Sequence, residues 1–154
     1  MVKRTTFILF NLVFMYSVVF AQCNNNMKTK CLPSLASYTV LKTYLIQLEK
    51  RKNKRKLPPK ARYSLMLSKG TRYRISGCVD EATEDKMIFT LFDNMGEVSS
   101  SYNKQTGKHY PAFEFICNKS GVYYLTFHFK NGSKGCGGAN IAMRKKSKSS
   151  AKAN

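Results

Sequence analysis

Five cysteines and two histidines are the most reactive side chains of this sequence. They are Cys23, Cys31, Cys78, Cys117, Cys136, His109 and His128. A nucleophilic Cys–His pair needs a thiolate beside an imidazole, but neither histidine lies in a local catalytic signature. Zinc needs three or four ligands, and the short Cys and His spacings that commonly supply them are absent. We therefore predict no catalytic residue, metal ligand or cofactor, and keep a hydrolase with a Cys/His site as an alternative function.

The first residues indicate the compartment. Lys3 and Arg4 precede an apolar run that ends at Ala21, which is typical of a signal peptide spanning residues 1–21. A membrane-spanning helix needs about 20 apolar residues, and this run is shorter and contains Asn and Ser, so we expect no transmembrane segment after cleavage. The sequence thus predicts a secreted or periplasmic protein with oxidised cysteines. A lipoprotein acylated on Cys23 is a minor alternative.

The odd number of cysteines leaves at least one thiol unpaired or bonded to another chain. Connectivity does not follow from the sequence. We expect a local bridge between Cys23 and Cys31 and one further bridge among Cys78, Cys117 and Cys136, each of which lies near a predicted strand end. A spare cysteine also keeps open a disulfide-linked structural subunit as an alternative.

The whole chain has a formal net charge of +19, and this positive charge is concentrated in two segments. One is a Pro-containing loop at 50–60, and the other is the segment 144–154. The candidate anion-binding residues are Lys50, Arg51, Lys52, Lys54, Arg55, Lys56, Arg144, Lys145 and Lys146. Such a field attracts polyanions, and the signal peptide removes the protein from intracellular nucleic acid. Tyr102, Tyr110 and Tyr124 beside lysines would also suit stacking on sugar rings or nucleobases.

Apolar side chains alternate with polar ones over most of residues 38–143, which predicts strands. Residues 38–48 are interpreted as the first strand, with a short helix as an alternative, and residues 122–130 give the strongest strand pattern. Residues 62–68 and 71–78 resemble a β-hairpin. A glycine-rich loop is predicted at 131–138.

Seven to eight short strands separated by turn residues indicate an all-β fold, an antiparallel β-sandwich or jelly roll. The sandwich would occupy residues 38–143. It would follow an N-terminal extension at 22–37 and precede a disordered basic tail at 144–154.

Three ordered patterns are similar to bacterial secreted β-sandwich modules of the pre-peptidase C-terminal type. Residues 67–75 resemble the apolar strand, Gly turn and Tyr-containing strand of that family, and residues 89–96 resemble its buried strand with an Asp…Gly turn. Residues 113–115 and 120–125 resemble its late hairpin. The resemblance implies a non-catalytic accessory or binding domain and transfers no functional residue.

Together these features predict a secreted or periplasmic, non-catalytic binding module associated with the cell envelope. Its partner would be an anionic cell-surface polymer or glycan, bound electrostatically, or another protein.

Overall fold

The computed structural model describes residues 23, 26–32 and 37–144. The predicted signal peptide, and the tail residues Lys145 and Lys146, lie outside the described residues. The described chain forms one helical turn and eight strands. These are α1 Met27–Lys30, β1 Tyr38–Leu48, β2 Ala61–Leu67, β3 Arg72–Val79, β4 Met87–Phe92, β5 Glu97–Ser100, β6 Ala112–Ile116, β7 Gly121–Phe129 and β8 Gly135–Arg144. Within these ranges no helix is long and apolar enough to cross a membrane.

The strands form two antiparallel four-stranded sheets that pack face to face. Sheet A has the order β1-β8-β3-β6, and sheet B has the order β2-β7-β4-β5. The predicted all-β sandwich is therefore confirmed. Alternate residues of each strand point between the sheets, and the side chains that are at most 1% exposed there include Ile46, Ile75, Ile141, Phe89, Leu125 and Phe127.

The predicted hairpin of residues 62–68 and 71–78 is wrong, because the chain changes sheet between them. Strand β2 pairs with β7 in sheet B, whereas β3 pairs with β6 and β8 in sheet A. The late hairpin implied by the family resemblance is absent for the same reason, since β6 and β7 lie in different sheets. The β2–β3 and β6–β7 connections, where the chain changes sheet, are hydrogen-bonded to each other. Gly70 N–H donates to Cys117 O at 2.7 Å, and Cys117 N–H donates to Thr71 O at 3.0 Å.

The predicted glycine-rich loop at 131–138 is wrong in its second half, which belongs to strand β8. Only residues 130–134 connect β7 to β8, and the strand itself begins at Gly135 and runs through the middle of sheet A. A Cβ at Gly137 would lie 2.8 Å from Met87 Sδ and 2.9 Å from Cys78 O. These glycines therefore mark close approach within a strand rather than a break in it.

Residues 26–32 of the N-terminal extension lie on the outer face of sheet A. Met27 is 2% exposed there, and disulfides join Cys31 to Cys78 and Cys23 to Cys136, with Cα–Cα distances of 5.7 and 5.5 Å. The expected local bridge and the bridge between strand cysteines are both wrong, because each cysteine of the extension bonds to one of the sheet. The disulfide also occupies the Cys23 sulfur that lipid attachment would require, which contradicts the lipoprotein alternative.

Candidate functional site

The basic loop, residues 49–60, connects β1 to β2 and is fixed at its base. The Arg51 N–H donates to Gly132 O at 2.8 Å. Gly132 has a φ of 71° and lies so close to Arg51 and Pro58 that a Cβ would be 3.2 Å from the Cβ of each. Arg51 is half-buried by this packing. The other predicted cations of the loop are exposed: Lys50, Lys52, Lys54, Arg55 and Lys56.

No acidic side chain of the described residues neutralises the basic loop. Those residues form four ion pairs, namely Lys30–Glu81, Arg72–Glu114, Arg74–Glu114 and Lys104–Glu97. None of them includes a loop residue. The loop therefore presents its positive charge to solvent.

Arg144 lies far from the basic loop. In the β1–β8 register, Tyr38 is opposite Arg144 and Leu48 is opposite Gly135. Strand β1 has eleven residues, and at a rise of roughly 3.3 Å per residue its ends are about 30 Å apart. The structure therefore does not bring together the described parts of the two predicted basic segments.

The strand registers place four loops at one end of the sandwich, which we call the loop end. These loops are residues 49–60, 80–86, 101–111 and 130–134, and they hold twelve Lys or Arg against five Asp or Glu, a formal charge of +7. Several of the acids have local partners: Glu81 pairs with Lys30, and Asp85 accepts from Asn131 Nδ2 at 2.7 Å. No group of His, Cys, Asp or Glu suited to a metal ion occurs within the described ranges.

A groove on the outer face of sheet B opens beside this end, and we call it the outer groove. Its cavity has a volume of about 180 Å³. It is lined by Lys60, Ile88, Thr90, Phe92, Glu97, Ser100, Tyr102, Lys104, Thr126 and His128. Sequence reasoning missed this site. Alternation along β7 indicated that Thr126 and His128 face outward, but it gave no information about which strands lie beside them.

The outer groove carries positive potential. Burial, followed by the charges of Lys60 and Lys104, holds the pKa of His128 below its ordinary value. The Nδ1 atom of His128 is buried and has no hydrogen-bond partner in the described structure. The imidazole is therefore neutral at pH 7, and the lysines carry the charge of the groove.

Two of the tyrosines predicted to stack on ligands carry a cation over one ring face. The Arg62 guanidinium lies 4.0 Å from the centroid of Tyr124, and the Lys130 ammonium lies 5.2 Å from that of Tyr102. Tyr102 also lines a second cavity of about 270 Å³ beside the outer groove, where the charged residues are Lys86, Lys130, Glu84 and Asp85. The aromatic rings therefore hold cations along this surface.

The alternative Cys/His site is not assembled. The free thiol is Cys117, which is 1% exposed and donates to Lys119 O at 3.2 Å. His109 Nε2 is hydrogen-bonded to Met87 O at 2.7 Å, and His128 lies in the outer groove. Cys117 follows β6 at the opposite end of the sandwich, so neither imidazole can activate it.

Comparison with known proteins gives little help with function. No protein-family model matches the chain, and no curated protein matches it. Among solved structures, the fold is similar to that of PliG from Aeromonas hydrophila, a periplasmic lysozyme inhibitor of g-type lysozyme, with 8% identity, a TM-score of 0.47, and coverage of 70% of this chain and 87% of that chain. A likeness this distant carries no argument about activity, and the resemblance to pre-peptidase C-terminal modules stays a prediction.

Proposed function

We propose that the protein is a secreted or periplasmic, non-catalytic binding module that attaches to anionic surface polymer through its loop end. The observation that carries this proposal is the basic loop, which exposes six cations, Lys60 included, without an acidic partner among the described residues. Cations that are not neutralised within a protein remain available to a polyanion, whose bound counterions they displace.

The compartment is supported by the two disulfides, because such bonds persist in oxidising environments. The Cys/His hydrolase alternative loses support, because Cys117 lies at the opposite end of the sandwich from both histidines. An acidic protein surface is the second class of partner that the same charges would suit.

The test is retention of the mature chain on heparin and on acidic and neutral glycans, at low and at high salt. The informative variant is K52Q/K54Q/K56Q. Its matched control is K42Q/K69Q/K119Q, which removes the same amount of charge from exposed residues that lie away from the loop end. Because charges separated by more than about 8 Å are largely screened at physiological salt, only the loop variant should elute at clearly lower salt.

Equal losses in both variants would show that net charge, and not the basic loop, governs retention. If the wild-type protein binds no acidic polymer but does bind an acidic protein, the proposed polymer is not the partner and a protein is.

A further inference from the structure

Three hydroxyl side chains form a row across the floor of the outer groove. In the registers of β7, β4 and β5, Thr126 is opposite Thr90 and Thr90 is opposite Ser100. The Oγ atoms of Thr90 and Ser100 are 3.0 Å apart, and Thr126 Oγ1 donates to Thr90 O at 3.4 Å. Each hydroxyl oxygen has two lone pairs, so Thr126 keeps acceptor capacity for the hydroxyls of a ligand.

Apolar side chains flank the hydroxyl row on both sides. Ile88 precedes Thr90 by two residues and Phe92 follows it by two, so all three share the outer face of β4. Both apolar side chains line the outer groove, and Ile88 is only 5% exposed although it points away from the core. A floor that alternates apolar and hydroxyl groups matches the CH and OH groups of a sugar ring.

The charge of the outer groove matches a single negative group. Two lysines and one carboxylate line it. Glu97 lies 3.5 Å from Lys104 Nζ, whereas Lys60 takes part in none of the ion pairs of the described residues. Lys60 is therefore the cation that a bound anion would meet, and it is also the last residue of the basic loop.

The outer groove is large enough for one sugar ring only. Its volume of about 180 Å³ is below the roughly 300–1,000 Å³ of pockets for drug-sized ligands. The neighbouring cavity shares Tyr102 with it, but its two lysines, Lys86 and Lys130, are balanced by Glu84 and Asp85, so the net positive charge does not extend beyond the outer groove. We propose that the outer groove is a subsite for one anionic sugar unit, a pyranose ring with a single carboxylate or sulfate. This inference rests on the proposed function, since it names the unit of the polymer that is recognised.

The test is an NMR titration of the ¹⁵N-labelled mature protein with glucuronate, glucose 6-sulfate and glucose. The two charged probes separate a carboxylate from a sulfate, and glucose reports the contribution of the ring alone. We expect saturable shifts at Thr90, Thr126 and His128 with at least one charged probe, and weaker binding of glucose.

Two variants make the test specific. T126V keeps the shape of the side chain and removes its hydroxyl, and we expect it to weaken binding about two- to twelvefold. K60Q removes the exposed cation, and we expect about three- to fivefold weaker binding of the charged probe at low salt. K69Q removes an exposed lysine at the other end of the sandwich and should leave binding unchanged.

The inference is overturned if no probe gives saturable shifts, or if glucose binds as well as the charged probes and K60Q binds like wild type. The heparin assay separates this result from failure of the proposed function. Loss of heparin retention in K52Q/K54Q/K56Q without sugar binding would retain the proposed function and remove the subsite. Specific sugar binding with unchanged heparin retention in that variant would retain the subsite and remove the loop as the attachment site.

Discussion

Met27 lies against Gly138 so closely that a Cβ at position 138 would collide with the Met27 carbonyl oxygen. A second residue of the extension also touches this glycine, since the Sγ atom of Cys31 lies 3.3 Å from Gly138 O. Gly138 is in the middle of sheet A, between β1 and β3. The absence of a side chain at this position is therefore what allows Met27 and Cys31 of the extension to pack directly on the sheet.

We expect G138A to destabilise the protein by about 1–3 kcal/mol, the usual cost of inserting an extra carbon into a packed site. The backbone of Met27 would have to move, because a carbonyl oxygen cannot rotate away as a flexible side chain can. Urea unfolding measures the free energy. The matched control is G121A at the start of β7, where a Cβ meets nothing within 4 Å; equal stability of the two variants would contradict this account of Gly138.

Prediction from sequence succeeded for features that depend on one strand alone, namely its bounds and the direction of its side chains. Residues 38–48 match the observed bounds of β1, and the alternation in β7 correctly separates its core face from its outer face. It failed where a second strand decides the outcome. The outer groove depends on Thr90 lying opposite Thr126, a pairing of residues 36 positions apart that neither strand pattern specifies.

Glycine and cysteine explain two other failures in the same terms. Glycine is interpreted as a chain breaker from local preference, whereas in β8 it is required because the extension and β4 side chains pack against the strand. The pairing of Cys31 with Cys78 depends on where the extension crosses sheet A. That path is determined by tertiary packing, so no spacing rule within the sequence could have given it.

Removing either disulfide should lower stability without changing the sandwich. The Cys31–Cys78 bridge spans 47 positions and the Cys23–Cys136 bridge spans 113. The chain-entropy relation assigns them about 4 and 5 kcal/mol, with smaller losses common in practice. We expect C31A/C78A and C23A/C136A each to lose about 2–5 kcal/mol in urea unfolding.

Peptide mapping without reduction provides the direct check on this connectivity. It should recover a peptide pair joined through Cys31 and Cys78 and another joined through Cys23 and Cys136. A peptide containing a Cys23–Cys31 bridge would refute the observed arrangement of the extension.

Cys117 should behave as a single inaccessible thiol. It is the free cysteine of the five, all of which the structure describes, and it is 1% exposed. Its hydrogen bond to Tyr123, together with burial, raises the pKa of that tyrosine to about 12. We expect a thiol reagent to label no site in the native protein and one site per chain in denaturant.

The same thiol decides between a monomer and a disulfide-linked subunit. Because Cys117 is buried, non-reducing electrophoresis should show a monomer, and C117A should run identically. A covalent dimer that disappears in C117A would restore the structural-subunit alternative.

His128 should report the charge of the outer groove through its titration. Burial first, then the charges of Lys60 and Lys104, lower its pKa below the ordinary histidine value of about 6.5. The unfolded chain therefore binds the proton more readily than the folded protein does, and the slope of stability with pH follows the difference in bound protons. The contribution of this group is fully present above about pH 6.5 and is lost as the pH falls through the lower folded pKa.

An NMR titration of the imidazole signals tests both the sign and its cause. K60Q removes one of the two lysine charges, so the midpoint of His128 should move up toward its ordinary value. K69Q lies at the opposite end of the sandwich and should leave that midpoint in place.

A bound sugar carboxylate should act in the same direction as K60Q, because its negative charge stabilises the imidazolium. Anionic ligands would then bind more tightly as the pH falls through the His128 midpoint, and equal affinity across that range would place the anion away from the imidazole.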